Sequence, residues 1–290
     1  MSHSSIQMRV PETITPEIVR KGGLGNPSKM RVLMYHRILS KETNDVLHEY
    51  CVKEREFRRQ LELLDQWGFT AITFNDYRLY LAGELNLPKK PVILTFDDGY
   101  VETYEIAYPI LESMGMKAVI FVLGDPNVKT SIWDRRYQNA VAPLMNQQQI
   151  LELHSAGFEI GSHALHHPRL PSLPEEKAWE EISRSRELLE IMINAPVRTF
   201  AYPYGLANDK IKRMVKDAGY ATACSGWTGP ATFGVDLFEI RRISMVNSIG
   251  MAGFAFRMFG PYQMYRWYVW KTKSLLGGKN APPMVEELDS

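Results

Sequence analysis

The sequence predicts an α/β protein: a closed barrel of parallel βα units forming a single domain. Three observations carry this reading. Short apolar, β-branched runs alternate with stretches of helical spacing. Glycines stand where the helices should stop, at Gly68, Gly115 and Gly157. Seven or eight such units in about 220 residues suit a closed barrel better than a doubly wound sheet. In such a barrel, chemistry sits at the C-terminal ends of the strands. Tyr35, His36, Asp97, Asp98, His163 and Tyr204 fall at such positions.

The elements follow in order. Residues 1–29 are polar and proline-containing and read as an N-terminal extension. Arg31–Tyr35 is a buried strand with His36 at its end. Glu54–Trp67 places Phe57, Leu61 and Leu64 on one helical face. Phe69–Phe74 is a strand, after which Asn75 caps a short helix. Val92–Phe96 is the third strand, Thr103–Met114 a helix and Ala118–Val122 the fourth strand. Asn146–Ala156 is a helix, Phe158–Gly161 a strand and Pro174–Ile193 the longest helix. Thr199–Tyr202, Tyr220–Cys224 and Ile240–Met245 complete the strands, with a helix at Asp209–Ala218. The barrel is assigned to residues 30–250 and a C-terminal tail to 251–290.

Of the 290 residues, 45% are hydrophobic, enough for a large core. A net charge of +1 gives no global field for nucleic acid, which is not expected as a partner. Cys51 and Cys224 stand in no metal-like spacing and imply no disulfide framework. No stretch has signal-peptide or membrane-span character, so the expected location is cytoplasmic.

The chemistry concentrates in PVILTFDDGY, Pro91–Tyr100, where an apolar strand ends in two carboxylates and a glycine. Charge at the rim of a core is costly unless it is paired or bound to metal. A second stretch, GSHALHHPRL, follows the fifth strand. Its His163 and His167 are four apart, a spacing that on a helical turn brings two imidazoles onto one face. Two histidines and a carboxylate leave positions open for water, the pattern of a catalytic metal site. His166 would point elsewhere, as a supporting or surface residue. The third stretch, TFAYPYG, turns a strand end at Pro203 and brings Tyr204 to the rim, where a backbone N–H can hold an oxyanion.

TFDDGY, GSHALHHPRL and FAYPYG, in this order and at these spacings, resemble carbohydrate esterase family 4, the polysaccharide deacetylases with a NodB-homology domain. VLMYHRI resembles the first strand of the exopolysaccharide members. The resemblance covers Arg31 to Met245 and implies a deformed (β/α) barrel that hydrolyses N-acetyl groups on a glycan or glycan precursor. It implies Asp97 as general base, and Asp98, His163 and His167 as metal ligands. It also implies Tyr204 as the residue whose N–H holds the oxyanion and Trp227 as a wall beside the acetyl methyl. The metal expected is zinc, although such a ligand set also accepts manganese, cobalt, nickel or iron. A non-sugar amide is the alternative substrate. A barrel that binds glycan with little turnover is the alternative to an enzyme.

Two departures from the family pattern stand out. Ala201 occupies the place of an arginine that pairs with the catalytic aspartate, and Arg198, Arg241 and Arg242 are its candidate substitutes. No histidine follows His167 to protonate the leaving amine. His36, from the end of the first strand, is one candidate acid, and a protonated Asp97 is another. Arg241 and Arg242 are also assigned to substrate binding. Arg241 to Lys279 carries seven basic residues, no acid and many aromatics. It reads either as aromatics packed on the barrel or as a peripheral contact with an anionic membrane.

Overall fold

The computed structural model describes residues 30–40, 50–136, 141–226 and 236–259, together with Tyr262, Met264, Tyr265, Tyr268 and Thr272. The expected extension, 1–29, lies outside these residues. Among the described residues, nine parallel strands form the main sheet. They are β1 (Arg31–Tyr35), β4 (Thr70–Ile72), β5 (Pro91–Phe96), β6 (Val119–Val122), β7 (Glu159–Ser162), β8 (Thr199–Ala201), β9 (Thr222–Ser225), β10 (Ile240–Arg241) and β11 (Ile243–Ser244). Two further strands, β2 (Arg37–Leu39) and β3 (Cys51–Lys53), pair with each other beside β1.

The strand order is β10-β9-β8-β7-β6-β5-β1-β11. β1 pairs along β5 from Arg31↔Val92 to Tyr35↔Phe96. The other edge of β5 is shared. β4 takes Pro91 to Ile93, and β6 takes Thr95 and Phe96. The expected single strand at Ile240–Met245 is in fact two, β10 on β9 and β11 on β1, with Arg242 between them. One residue therefore brings the two ends of the sheet together and nearly closes the barrel. Arg242 leaves the ladder because its side chain is drawn to a buried partner, described below.

Helices cover the outside. α1 (Glu54–Gln66) buries Phe57, Leu61 and Leu64, each contributing roughly 1.5–3 kcal/mol. Gly68 follows it with φ of 73°, a left-handed value that glycine adopts without steric cost. α2 (Phe74–Leu81) is capped by Thr73 rather than Asn75. The Thr73 hydroxyl accepts from the Asp76 N–H, and the Asp76 carboxylate accepts from the Thr73 N–H. Asn75 already lies inside the helix, where its N–H donates to Glu159. The expected helix over Thr103–Met114 is divided. A π-turn at Thr103–Ala107 bonds Tyr108 N–H to Thr103 O, and α3 (Tyr108–Ser113) follows. Pro109 has no N–H to sustain regular α bonding there.

The remaining helices are α4 (Gln147–Ser155), α5 (Glu175–Ile193), α6 (Asp209–Asp217) and α7 (Gly250–Met258). α7 belongs to the barrel's outer layer although it was expected to start the tail. Phe254 is fully buried and stacks on Trp67 at 5.9 Å. Met258 and Tyr262 are buried as well, whereas Phe256, Phe259, Met264, Tyr265 and Tyr268 are exposed. Both cysteines are buried. Among the described residues, no helix is long and apolar enough to cross a membrane.

Candidate active site

β5 carries the two aspartates to the barrel rim. Asp97 still belongs to the ladder, its N–H donating to Tyr35 O at 3.0 Å. Asp98 then turns into the left-handed region, with φ of 72°, and Gly99 follows at 77°. Aspartate tolerates this region better than most side chains. The turn makes the adjacent carboxylates diverge, Asp97 towards Arg242 and Asp98 towards the histidines. Both are buried.

Asp98 Oδ1 lies 3.2 Å from His163 Nε2 and 3.2 Å from His167 Nε2. One donor atom from each of the three residues lies within 4.8 Å of the others. The histidines do not meet across a helical turn, as their spacing suggested. The segment after β7 is irregular, and Ala164 and His167 both have positive φ, 64° and 61°. His163 Nδ1 lies 2.8 Å from Ala201 O. A carbonyl can only accept, so this bond puts the proton on Nδ1 and leaves the Nε2 lone pair for a ligand. Burial pushes Asp98 upward, but His167 and His163 outweigh it and hold the carboxyl well below its ordinary range. Burial lowers His163, whereas Asp98 more than offsets that and raises it. His167 is lowered, chiefly by burial.

Two aromatic rings wall the third corner. Trp133 stacks on His167 at 4.3 Å, and Tyr204 meets the same imidazole edge-on at 4.5 Å. Arg169 covers the Tyr204 ring at 5.0 Å. Tyr204 itself has φ of 59°, so the PYG corner bends sharply. A Cβ on the following Gly205 would lie 2.6 Å from Gly226 N, a contact that only glycine avoids.

Arg242 answers the question left by Ala201. Its Nη1 and Nη2 donate to Asp97 Oδ1 and Oδ2 at 2.6 and 2.7 Å. It also donates to Thr95 Oγ1 at 3.0 Å and to Ser225 O at 3.1 Å. The guanidinium is spent on the protein, which removes it from the expected substrate contacts. Burial alone would raise Asp97, but the Arg242 charge and hydrogen bonds bring it below its ordinary value. Arg241 points away and pairs with Glu239 at 2.6 Å, so it too is engaged elsewhere. Arg198 precedes β8, at the opposite end of the barrel. Trp227 lies outside the described residues.

His36 is half-buried at the end of β1. The register Tyr35↔Phe96 places it beside Asp97 on the neighbouring strand. Its ring packs on Tyr50 at 4.8 Å, and its buried Nδ1 has no hydrogen-bond partner among the described residues. The sequence reading missed Trp133 and the Tyr100–Asp134 pair. Tyr100 Oη donates to Asp134 Oδ2 at 2.6 Å. Burial, then the nearby Asp98, raises Asp134 above its ordinary value. Trp133 and Asp134 sit on a short 3-10 turn far from the other motifs, and nothing in their local pattern marks them.

The chain is similar to known proteins in sequence and fold. Residues 84–223 match the family model for polysaccharide deacetylase. Those residues, just under half of the chain, thus carry a polysaccharide deacetylase domain. A Bacillus subtilis relative named as a polysaccharide deacetylase, YxkH, is 29% identical over 230 residues, covering 79% of this chain and 75% of its own. The Staphylococcus aureus poly-β-1,6-N-acetyl-D-glucosamine N-deacetylase is 26% identical over 182 residues. That match spans 60% of each chain, under two thirds of the staphylococcal enzyme. Among solved structures, the Streptococcus pyogenes deacetylase PplD, in complex with acetate, superposes with a TM-score of 0.65 at 25% identity. The match covers 80% of this chain and 98% of PplD. The nearly closed parallel barrel is thus that of the deacetylases.

Proposed function

We propose that this protein is a metal-dependent hydrolase that removes N-acetyl groups from a glycan. The observation that carries the reading is the convergence of Asp98, His163 and His167 beside the buried Asp97–Arg242 pair. The donor set fits a divalent cation. Asp98 Oδ1 is buried with no hydrogen-bond donor among the described residues, and Ala201 fixes His163 in the ligand tautomer. Zinc is the default metal. When bound, a divalent cation polarises an acetyl carbonyl and acidifies a water.

The chain's own groups supply the rest. Asp97, held ionised by Arg242, takes the proton of the attacking water. The Tyr204 corner offers its backbone N–H to the developing oxyanion. His36, facing the site from the strand next to Asp97, gives a proton to the departing amine. The Trp133 and Tyr204 rings border the site and shield it from solvent. The staphylococcal relative's name suggests a β-1,6-linked N-acetylglucosamine chain as the first substrate to try.

The test is acetate release from β-1,6-linked N-acetylglucosamine oligomers, with and without chelator. Release that stops with chelator and returns with zinc is expected. Tight metal-dependent glycan binding without any acetate would replace the enzyme with a binding barrel. His36→Ala should lower kcat at least 100-fold, the usual scale for losing a general acid, while metal content stays at the wild-type level. An unchanged rate would remove His36 from the mechanism.

A further inference from the structure

The segment that carries His163 and His167 makes no helical hydrogen bonds of its own, so its shape must be imposed from outside. Ala164 and His167 both sit at positive φ, which L side chains rarely adopt without support. The support comes from two neighbouring elements. On α5, Glu181 Oε2 accepts from the backbone N–H groups of Leu165 and His166, each at 3.0 Å. Its other oxygen, Oε1, lies 2.7 Å from His166 Nδ1. On the far side of the ring, His166 Nε2 lies 3.0 Å from Asp125 Oδ2, in the loop after β6. Asp125 is itself fixed, its Oδ1 accepting from the N–H and side-chain amide of Asn127 at 2.8 and 2.9 Å. One turn further along α5, Ser185 Oγ donates to Ala164 O at 3.0 Å, and Gly124 N–H donates to the same carbonyl at 2.9 Å.

We propose that His166 is a positioning residue for the metal site, a strut between Glu181 and Asp125 that holds its neighbours in the ligating arrangement. The proposal rests on the reading of Asp98, His163 and His167 as metal ligands. His166 side-chain exposure is 50%, so neither packing nor burial requires its ring to be held. Both ring nitrogens are nevertheless within hydrogen-bond distance of fixed carboxylate oxygens. Exposed contacts of this kind add little to overall stability. Their effect is local. They set the position of the peptide units on either side, and through them the aim of the imidazole of His167, the next residue. Groups that orient metal ligands typically change metal affinity 10–100-fold when lost. That contrast separates a positioning role from a structural one.

The experiment uses the full chain and zinc ions. Zinc dissociation constants are measured by competition with a chromophoric chelator for wild type, His166→Ala and His166→Gln. Thermal midpoints and amide deuterium exchange are measured on the metal-free forms. His166→Ala should raise the zinc Kd roughly 10–100-fold, as loss of ligand-orienting groups does elsewhere. Its metal-free midpoint should stay within about 2 °C of wild type, the shift expected for a small loss in a chain of this size. Exchange at the Leu165 and His166 amides should quicken while the rest of α5 is unaffected. His166→Gln reaches only one of the two carboxylates and should fall between. At saturating zinc, kcat should return with KM for the glycan unchanged. A variant Kd within about twofold of wild type, well inside the range above, overturns the proposal. So does a Kd change accompanied by faster exchange throughout α5, which would assign His166 to folding. A wild-type chain that takes up no zinc overturns the metal reading itself, and is told apart by the wild-type titration alone.

Discussion

Replacing Arg242 with methionine tests the link between barrel closure and catalysis. In the native chain, Arg242 and Asp97 are both nearly inaccessible, with side-chain exposures of 1% and 4%. Two hydrogen bonds of 2.6 and 2.7 Å join them. Methionine fills much of the same volume but leaves the Asp97 carboxylate buried without a countercharge. Removing one partner of such a pair costs about 3–5 kcal/mol, because the remaining charge is uncompensated. In a chain of this size, 1 kcal/mol moves the midpoint by about 2–4 °C, so the fall should be roughly 6–20 °C. The effect on titration has a definite sign. Arg242 holds the native Asp97 below its unfolded value, so the pair stabilises above that value and the stabilisation is lost as pH falls. Without Arg242, burial raises Asp97 against only the weaker charges of His163 and His36. The acid limb of the kcat/KM profile should then move to higher pH. Thermal unfolding and a pH series of acetate release measure the two effects. Asp97→Asn in the Arg242→Met background removes the stranded charge and should recover part of the midpoint. A single variant that melts within about 2 °C of wild type, with an unmoved acid limb, would refute the reasoning.

Other outcomes follow from the same geometry. Asp98→Ala and His163→Ala should abolish zinc binding, as measured by metal analysis of the purified chain. Asp97→Asn should keep the metal and lose at least 100-fold in kcat, the lower scale for a general base. Gly205→Ala forces a Cβ to 2.6 Å from Gly226 N at a φ of 68°. It should cost about 1–3 kcal/mol in denaturant unfolding. The exposed Phe256, Phe259, Met264, Tyr265 and Tyr268, in a segment whose sequence is basic, predict co-sedimentation with anionic vesicles at low salt. A chain that stays in the supernatant would remove membrane contact from consideration.

The sequence alone determined the class of fold, because period-two and period-3.6 apolar patterns are local and alternate plainly along the chain. It also marked Asp97, Asp98, His163 and His167 as the candidate site, since titratable groups at the ends of apolar strands must find partners. Local patterning erred where the reason was local too, as at Asn75, where Thr73 and Asp76 form the stronger cap. Which distant groups meet depends on the folded arrangement. Arg241 and Arg242 are adjacent in sequence and chemically alike. Strand closure at β10 and β11 turns one towards Glu239 and the other into Asp97, 145 residues away in sequence. The histidine spacing suggested a helical turn. The chain instead uses positive-φ residues braced by Glu181 and Asp125, because the loop must follow the barrel rim rather than its own hydrogen bonds. Trp133 and the Tyr100–Asp134 pair were invisible for the same reason. Their roles come from packing across the barrel mouth, which no short stretch of sequence encodes.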